Sequence, residues 1–401
     1  MKPTRPMPLP TWKSAALAIA LMTASGQAEE TTTPTKEAPA AEKPAVVDAG
    51  IVAKPVKRAD IIRNMSAVSA WMHKNRQQVK GGQFGDTHWT VATWYAGEYA
   101  LYDVTKSPEH LKPLMAMAET TEWELGLRVL FADDQCIAQT YADLYMNVKK
   151  DPVLIDHMRY IADYMMRLPG DLSLENHHRV KLIGEWSWCD SLFMAPPAFA
   201  KLYQATGERK YLDFMNKKWW KTYDYLYDKE EKLFFRDSSY FDQKEANGKK
   251  VFWGRGNGWT MGGLVRVIDC LPKDYPDYPR YITLYKEMAE RIAGLQQPDG
   301  LWRASLLDPD SYPSGETSAS GFYCYALAWG INHGQLDKAT YLPKVKKAWF
   351  ALNAALHPDG QLGYAQPIGQ DPKHCSFDDS EVYAVGAYLL AGREVLGLFA
   401  E

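Results

Sequence analysis

The sequence of 401 residues lacks a strong charge of either sign, because 46 Lys and Arg stand against 49 Asp and Glu, for a formal net charge of -3. A chain without a basic excess has no electrostatic reason to bind nucleic acid. Its five cysteines form no CxxC pair and are odd in number, so we expect no disulfide framework. No apolar run reaches the roughly 20 residues of a membrane-spanning helix, so we expect no membrane span.

Signatures of several enzyme classes are also missing. The sequence contains no HExxH and no cluster of cysteine and histidine, and its adjacent pair His177 and His178 stands by itself. We therefore expect no bound metal. The absence of GxSxG, and of GxxxxGK followed by Ser or Thr, removes support for nucleophile-elbow hydrolases and for P-loop enzymes.

Aromatic side chains, in contrast, are abundant, with 14 Trp and 24 Tyr. The overall composition, 46% hydrophobic and 24% charged, is that of a globular protein. Flat rings with polar edges cover the faces of sugars well, although most such rings pack in protein interiors.

The N-terminal part of the chain has a composition of its own. Residues 1–28 join a positively charged start, the short apolar stretch 15–24 and small residues at their end, which is the pattern of a secretory signal peptide. Residues 29–58 are rich in Pro, Glu, Thr, Ala and Lys and lack aromatic residues, which predicts a disordered linker. We expect residues 59–401 to fold as one catalytic domain, in a protein that is secreted or periplasmic.

A motif that recurs six times organises this domain. In each copy a polar or charged residue precedes a segment rich in Ala, Gly, Ser and aromatic residues, at intervals of 48 to 65 residues. The six residues are Asp86, Asp134, Asp190, Arg255, Glu316 and Asp379. Longer amphipathic stretches lie between the copies, at 59–76, 109–124, 151–168, 209–226, 278–295 and 342–355. Helices rich in small residues that alternate with amphipathic helices predict an all-α fold, an (α/α)6 barrel with an inner and an outer ring.

Parallel inner helices would bring the six repeat-start residues to one end of the barrel, where we expect them to rim a single cleft. The alternative is that the carboxylates cap their own helices, because Asp is favoured at helix N-termini.

Two places in this pattern suggest acid–base chemistry. Asp190 follows Trp186 and Trp188, and a carboxyl group beside indole rings loses hydration and retains its proton to higher pH. The adjacent Asp133 and Asp134 supply a second carboxylate, and the spacing leaves open which of them faces the cleft. Two carboxyl groups, one to donate a proton and one to handle water, are typical of enzymes that add water to sugars.

The stretch Arg255-Gly256-Asn257-Gly258-Trp259 joins a forked donor to an indole ring. Arginine suits a carboxylate and tryptophan suits a sugar face, so we expect Arg255 and Trp259 to bind substrate.

These motifs together resemble glycoside hydrolase families 88 and 105, the unsaturated glucuronyl and unsaturated rhamnogalacturonyl hydrolases, with family 105 the better fit. The resemblance spans 59–401 and rests on WCDSLFMAPP, WGRGNGW, ADDQCIAQTY and ETSASGF. It implies an (α/α)6 barrel that needs no cofactor. It also implies a substrate made by polysaccharide lyases, an oligosaccharide with a 4,5-unsaturated uronic acid at its non-reducing end.

The same resemblance implies roles for individual residues. Asp190 would protonate C4 of the double bond, water would add at C5, and the hemiketal would open and release the sugar. The second catalytic carboxylate would come from the pair Asp133 and Asp134. The resemblance also implies that four residues line the substrate subsite: Trp188, Arg255, Trp259 and Tyr95.

One departure leaves the substrate open. Rhamnogalacturonyl-specific relatives often carry a histidine before the RGNGW motif, and here that stretch reads LFFRDSSYF. A glucuronyl-type substrate, such as a fragment of ulvan or of arabinogalactan, therefore remains an alternative. Further alternatives are a conventional barrel glycosidase or epimerase that acts on saturated sugars, and a sugar-binding barrel without catalysis.

Overall fold

A computed structural model describes residues 55–168, 172–175 and 177–399. The expected signal peptide, 1–28, and residues 29–54 of the expected linker lie outside the described residues. The first described helix begins at Arg58.

In the described residues, twelve helices of 10 to 18 residues carry the fold. The odd-numbered helices form the outer layer: α1 Arg58–Asn75, α3 Pro108–Thr120, α5 Val153–Arg167, α7 Lys210–Leu226, α9 Tyr278–Gly294 and α11 Lys338–Ala354. The even-numbered helices form the inner layer: α2 Trp89–Thr105, α4 Ala138–Asn147, α6 Pro196–Thr206, α8 Gly254–Cys270, α10 Thr317–Asn332 and α12 Val382–Leu398.

Short elements connect these helices. The single turns of α-helix are Ala132–Gln135, His177–Val180 and Ser191–Met194, and the 3-10 turns are Arg76–Gln78, Lys80–Gln83, Lys181–Ile183 and Ser238–Tyr240. Two strands, β1 Tyr227–Asp228 and β2 Leu233–Phe234, pair antiparallel after α7. The described residues contain no larger sheet.

The inner helices form a closed ring. Each contacts the next in chain order, and α12 returns to pack against α2. Close approach explains the small residues, since a Cβ atom added at Gly97 on α2 would lie 2.6 Å from the carbonyl oxygen of Gly386 on α12. Every residue of α10 except Asn332 is buried. The predicted (α/α)6 barrel is confirmed.

The outer helices are amphipathic, as the sequence predicts. On α5 the side chains of Leu154, Met158 and Ile161 are buried, whereas Tyr160 and Tyr164 face solvent. Among the described helices, none combines the length and the hydropathy needed to cross a bilayer.

Two inner helices begin later than the other four, and this delay positions the site. Pro196 and Pro197 start α6, because a proline fits the first turn of a helix but cannot continue one. The chain therefore makes the separate turn Ser191–Met194 first, and Asp190 lies at the start of that turn. The turn Ala132–Gln135 precedes α4 in the same way.

Candidate active site

A cleft of about 450 Å³ opens at the N-terminal end of the inner ring. It is lined by Trp89, Asp133, Trp188, Asp190, Met194, Arg236 and the loop residues Ile368, Gly369, Gln370, Asp371 and Lys373. The C-terminal halves of the inner helices surround a different cavity, of about 340 Å³, at the other end of the barrel.

Asp190 lies in the wall of this cleft with its side chain 12% exposed. Arg236 Nε lies 3.6 Å from Asp190 Oδ2, and the Cys189 thiol lies 3.6 Å from the same oxygen. Burial raises the pKa of Asp190 above its usual value, while the cations Arg236 and Arg255 oppose that rise. The carboxyl group is thus desolvated but accessible.

The structure separates the roles of the two adjacent aspartates. Asp134 accepts hydrogen bonds from the backbone N–H of Arg128 at 2.7 Å and from its Nε at 3.0 Å, and it also contacts NH2 of the same guanidinium group. Asp133 instead faces the cleft. Burial raises the pKa of Asp133 to about 7, with the charge of Asp190 adding to the rise and that of Arg128 opposing it. Asp133 is therefore the candidate partner of Asp190, and Asp134 braces the loop beside it.

Two indole rings form the walls next to the carboxyl groups. Trp188 packs against Phe131, with ring centroids 5.2 Å apart, as well as against His177 at 5.7 Å. Trp89, the first residue of α2, stacks on Tyr383 at 5.4 Å. Trp188 lines the cleft as the sequence predicts, whereas Trp89 was missed although it lies within the first repeated motif.

Trp259 and Tyr95 do not reach the cleft wall. Trp259 is fully buried beneath Trp89, at a centroid distance of 5.9 Å, and has no face free for a sugar. The hydroxyl group of Tyr95 donates to Asp86 at 3.0 Å, and Asp86 pairs with Arg76 at 2.6 Å. One ring thus supports the floor of the cleft, and the other joins a partly buried polar network, while the sugar contacts of Trp259 and Tyr95 stay predictions.

Arg255 is also fully buried. Its NH1 atom donates to the carbonyl oxygen of Gln366 at 2.9 Å and its NH2 atom to that of Pro367 at 3.1 Å. The guanidinium carbon lies 4.3 Å from the ring centroid of Trp253 and 5.0 Å from that of Tyr383. Its donors hold the loop that forms one wall of the cleft, and the expected contact between Arg255 and substrate stays a prediction.

The remaining repeat-start residues brace backbone. Glu316 caps α10 by accepting hydrogen bonds from the N–H groups of Ser318 at 3.1 Å and Ala319 at 2.7 Å. Asp379 accepts from the N–H of Ser376 at 2.7 Å. The prediction that all six repeat-start residues rim one cleft is wrong, since only the aspartate of the third repeat lines it.

A network behind Asp190 contains groups that sequence reasoning did not assign. Arg236 NH1 donates to Asp237 Oδ2 at 2.5 Å and lies 3.1 Å from His177 Nε2. His177 Nδ1 lies 2.8 Å from the hydroxyl oxygen of Ser187. In the sequence, Arg236 and Asp237 are the Arg-Asp pair of LFFRDSSYF. In the sequence analysis that stretch was notable only for the histidine that it lacks. The imidazole in this network belongs to the pair His177 and His178 instead.

In the described part of the chain, no group of three or more His, Cys, Asp or Glu side chains is arranged to hold a metal ion. The chemistry that the cleft offers by itself is proton transfer between two desolvated carboxyl groups beside an arginine.

Comparison with known proteins assigns the class. Residues 64–399 match Glycosyl Hydrolase Family 88, so the chain belongs to this family and is a glycoside hydrolase. It is 41% identical over 321 residues to the "Unsaturated 3S-rhamnoglycuronyl hydrolase" of Formosa agariphila, covering 78% of this chain and 85% of the relative. A protein of Alteromonas sp. with the same description is 38% identical over 319 residues, or 77% of each chain.

Solved structures agree on the fold. A glycosyl hydrolase family 88 structure from Bacteroides vulgatus superposes with a TM-score of 0.76 at 30% identity, over 85% of this chain and 99% of its own. A structure described as a polysaccharide lyase gives the same TM-score at 33% identity, over 84% of this chain and 97% of its own.

Proposed function

We propose that this hydrolase removes a 4,5-unsaturated uronic acid from the non-reducing end of oligosaccharides produced by polysaccharide lyases. The observation that carries the proposal is the pair Asp190 and Asp133, two desolvated carboxyl groups that line one cleft. The descriptions of the two relatives support the same substrate class, an unsaturated uronic acid joined to rhamnose.

The two carboxyl groups suit hydration of a vinyl ether. Because burial raises both pKa values, the pair retains a proton near neutral pH, and like-charged neighbours titrate as a unit. Asp190 transfers that proton to C4, which leaves positive charge shared between C5 and the ring oxygen. Water then adds at C5 and gives its proton to the carboxylate of Asp133. The resulting hemiketal opens, and C1 expels the neighbouring sugar.

Arg236 gives the donor a defined position. Its Nε atom, 3.6 Å from Asp190 Oδ2, favours the carboxylate that remains after proton transfer. Trp188 and Trp89 keep bulk water from the same wall, which strengthens these charge interactions.

A spectroscopic assay tests the proposal. The enzyme is incubated with lyase digests of ulvan, pectin, arabinogalactan and glycosaminoglycans, and the ultraviolet absorbance of the C4=C5 double bond is followed. We expect the absorbance to fall with a digest that contains uronyl-rhamnose units. A conventional glycosidase would leave the absorbance unchanged, and a lyase acting on intact polysaccharide would raise it.

Variants connect the activity to the cleft. Asp190→Asn keeps the shape of the side chain but removes its proton, so the rate of double-bond loss should fall by about 10²- to 10⁴-fold. The matched control is Asp378→Asn, because the Asp378 side chain is 90% exposed and lies outside the cleft. Near-normal turnover by a folded Asp190→Asn protein would refute this assignment.

We also propose that the protein is exported, on the basis of the signal-like residues 1–28. N-terminal sequencing of the protein recovered from its native cell should begin near residue 29. An intact N-terminus on the recovered protein would contradict export by this route.

A further inference from the structure

One wall of the cleft carries a guanidinium group with unused donors. Arg236 NH1 donates to Asp237 and lies within hydrogen-bond distance of His177. The buried Nε atom of Arg236 makes no hydrogen bond and points toward Asp190. Its NH2 atom has no partner among the described residues. The Arg236 side chain is 12% exposed, and it lines the cleft.

A second cation lies beside it. Lys181 Nζ is 3.4 Å from Nε2 of His177 and 5.9 Å from the ring centroid of Phe131. In the described part of the chain no carboxylate lies within 4.0 Å of this ammonium group. Burial lowers the pKa of Lys181, and the neighbouring charge of Arg236 lowers it further, while Asp133 in the cleft acts in the opposite direction.

His177 holds both cations at one point. Burial lowers its pKa to about 3, so the ring is neutral near pH 7. With the Nδ1 proton donated to Ser187 Oγ, the lone pair of Nε2 accepts from Arg236 and Lys181. A neutral acceptor positions two positive groups without cancelling either charge.

Counting charges shows why the second cation matters. Arg128 is matched by Asp134, and Lys373 has Asp371 at 3.6 Å. Of the other charged groups, Asp190, Asp133 and Arg236 line the cleft, and Asp237 and Lys181 lie behind Arg236. The charge of Arg255 also acts on Asp190. If the pair Asp190 and Asp133 holds one proton, these groups carry three positive charges, on Arg236, Lys181 and Arg255, and two negative charges, on Asp237 and the pair. Without Lys181 the same groups would carry no net positive charge to attract an anionic substrate.

We propose that Arg236 NH2 and Lys181 Nζ form an anion subsite that binds a negatively charged oxygen group of the substrate. That group is either the carboxylate of the unsaturated uronyl residue or a sulfate ester on the adjoining sugar. The inference rests on the proposed function. The subsite supplies the free cationic donors that Arg255 cannot, because that guanidinium group donates to the carbonyl oxygens of the 366–369 loop.

The test uses Lys181→Met, which keeps the length of the side chain and removes its charge, and Lys181→Arg, which keeps the charge. Lys112→Met, on the exposed face of α3, is the matched control. With an unsaturated uronyl-rhamnose disaccharide, Lys181→Met should raise KM by about 10- to 100-fold and change kcat by less than about threefold. Lys181→Arg should recover most of the affinity, which a merely structural defect would not allow.

The source of the anion is identified with the same disaccharide in sulfated and desulfated forms. An equal rise in KM for both forms assigns the subsite to the carboxylate, and a rise for the sulfated form alone assigns it to the sulfate. An unchanged KM for both forms would overturn the proposal.

A binding measurement keeps the subsite separate from the reaction. Calorimetric titration with glucuronate and with inorganic sulfate should show a weak site in the wild-type protein that Lys181→Met loses. If the wild-type protein consumes no double bond but shows this difference, the proposed function fails and the subsite stands. Equal binding by both proteins refutes the subsite, whatever the activity.

Discussion

Replacement of Arg255 by methionine tests the role that the structure gives to this residue. The change removes the hydrogen bonds to the carbonyl oxygens of Gln366 and Pro367 and a longer one, of 3.5 Å, to that of Gly369. It retains an unbranched side chain to pack between the rings of Trp253 and Tyr383.

The cost can be worked from these contacts. A hydrogen bond from a charged donor contributes about 1.5–3 kcal/mol, so the two shorter bonds give about 3–6 kcal/mol. Gln366 O also accepts from the hydroxyl group of Tyr383 at 2.6 Å and keeps that bond in the variant. We therefore expect the loss in unfolding free energy to fall at the lower end, about 3 kcal/mol.

Denaturant unfolding and hydrogen exchange measure the effect. Arg255→Met should unfold at lower denaturant, and amide exchange should speed up in residues 366–373, which form one wall of the cleft. The kcat/KM value should fall by about tenfold or more, since a displaced wall misplaces the substrate. Arg280→Met is a suitable control, because Arg280 is 45% exposed and should cost less than about 1 kcal/mol.

One result would refute the reasoning. If Arg255→Met unfolds like the wild-type protein, shows unchanged exchange at 366–373 and only raises KM, then Arg255 contacts substrate and does not hold the loop in place.

Two further predictions concern pH. The alkaline limb of kcat/KM should lie near pH 7 and should move to lower pH in Asp133→Asn, because Asp190 then titrates without a charged neighbour; a pH profile of both proteins checks this, and an unmoved limb contradicts it. Burial raises the pKa of Glu381 to about 7, so the folded state binds this proton more tightly than the unfolded state and loses stability as pH rises from about 4.5 to 7. Glu381→Gln should therefore be more stable than the wild-type protein at pH 8 by about 1–3 kcal/mol and similar at pH 4, measured by denaturant unfolding; equal stability at both pH values would contradict it.

The barrel could be predicted from the sequence because its cause is local. The inner helices pack closely, so side chains at positions such as 97 and 386 must be small. The outer helices expose one face to solvent. The prediction 151–168 differs by no more than two residues at either end from α5, Val153–Arg167. Composition and periodicity are sufficient for features of this kind.

Which of the site residues face the cleft and which support it could not be predicted in the same way. Successive helical residues differ by about 100° around the axis, so adjacent aspartates point in different directions, and only the loop held by Arg128 decides which faces the cleft. The partners of Arg255 lie 111, 112 and 114 residues further along the chain. A local sequence pattern cannot indicate a contact between residues so far apart in the chain. For this reason the burial of Arg255 and of Trp259 could not be predicted.

The closure of the inner ring has a consequence for how the protein is made. A Cβ atom added at Gly386 would lie 2.4 Å from the carbonyl oxygen of Thr93, so the last inner helix packs closely against the first. These two residues are 386 − 93 = 293 positions apart in the chain. At about 5–20 residues per second, a ribosome needs about 15–60 s to make the chain between these points. Throughout that time α2 has one apolar flank without its partner, and apolar surface exposed in this way favours aggregation. The cleft at the end of the ring can form only after translation is almost complete.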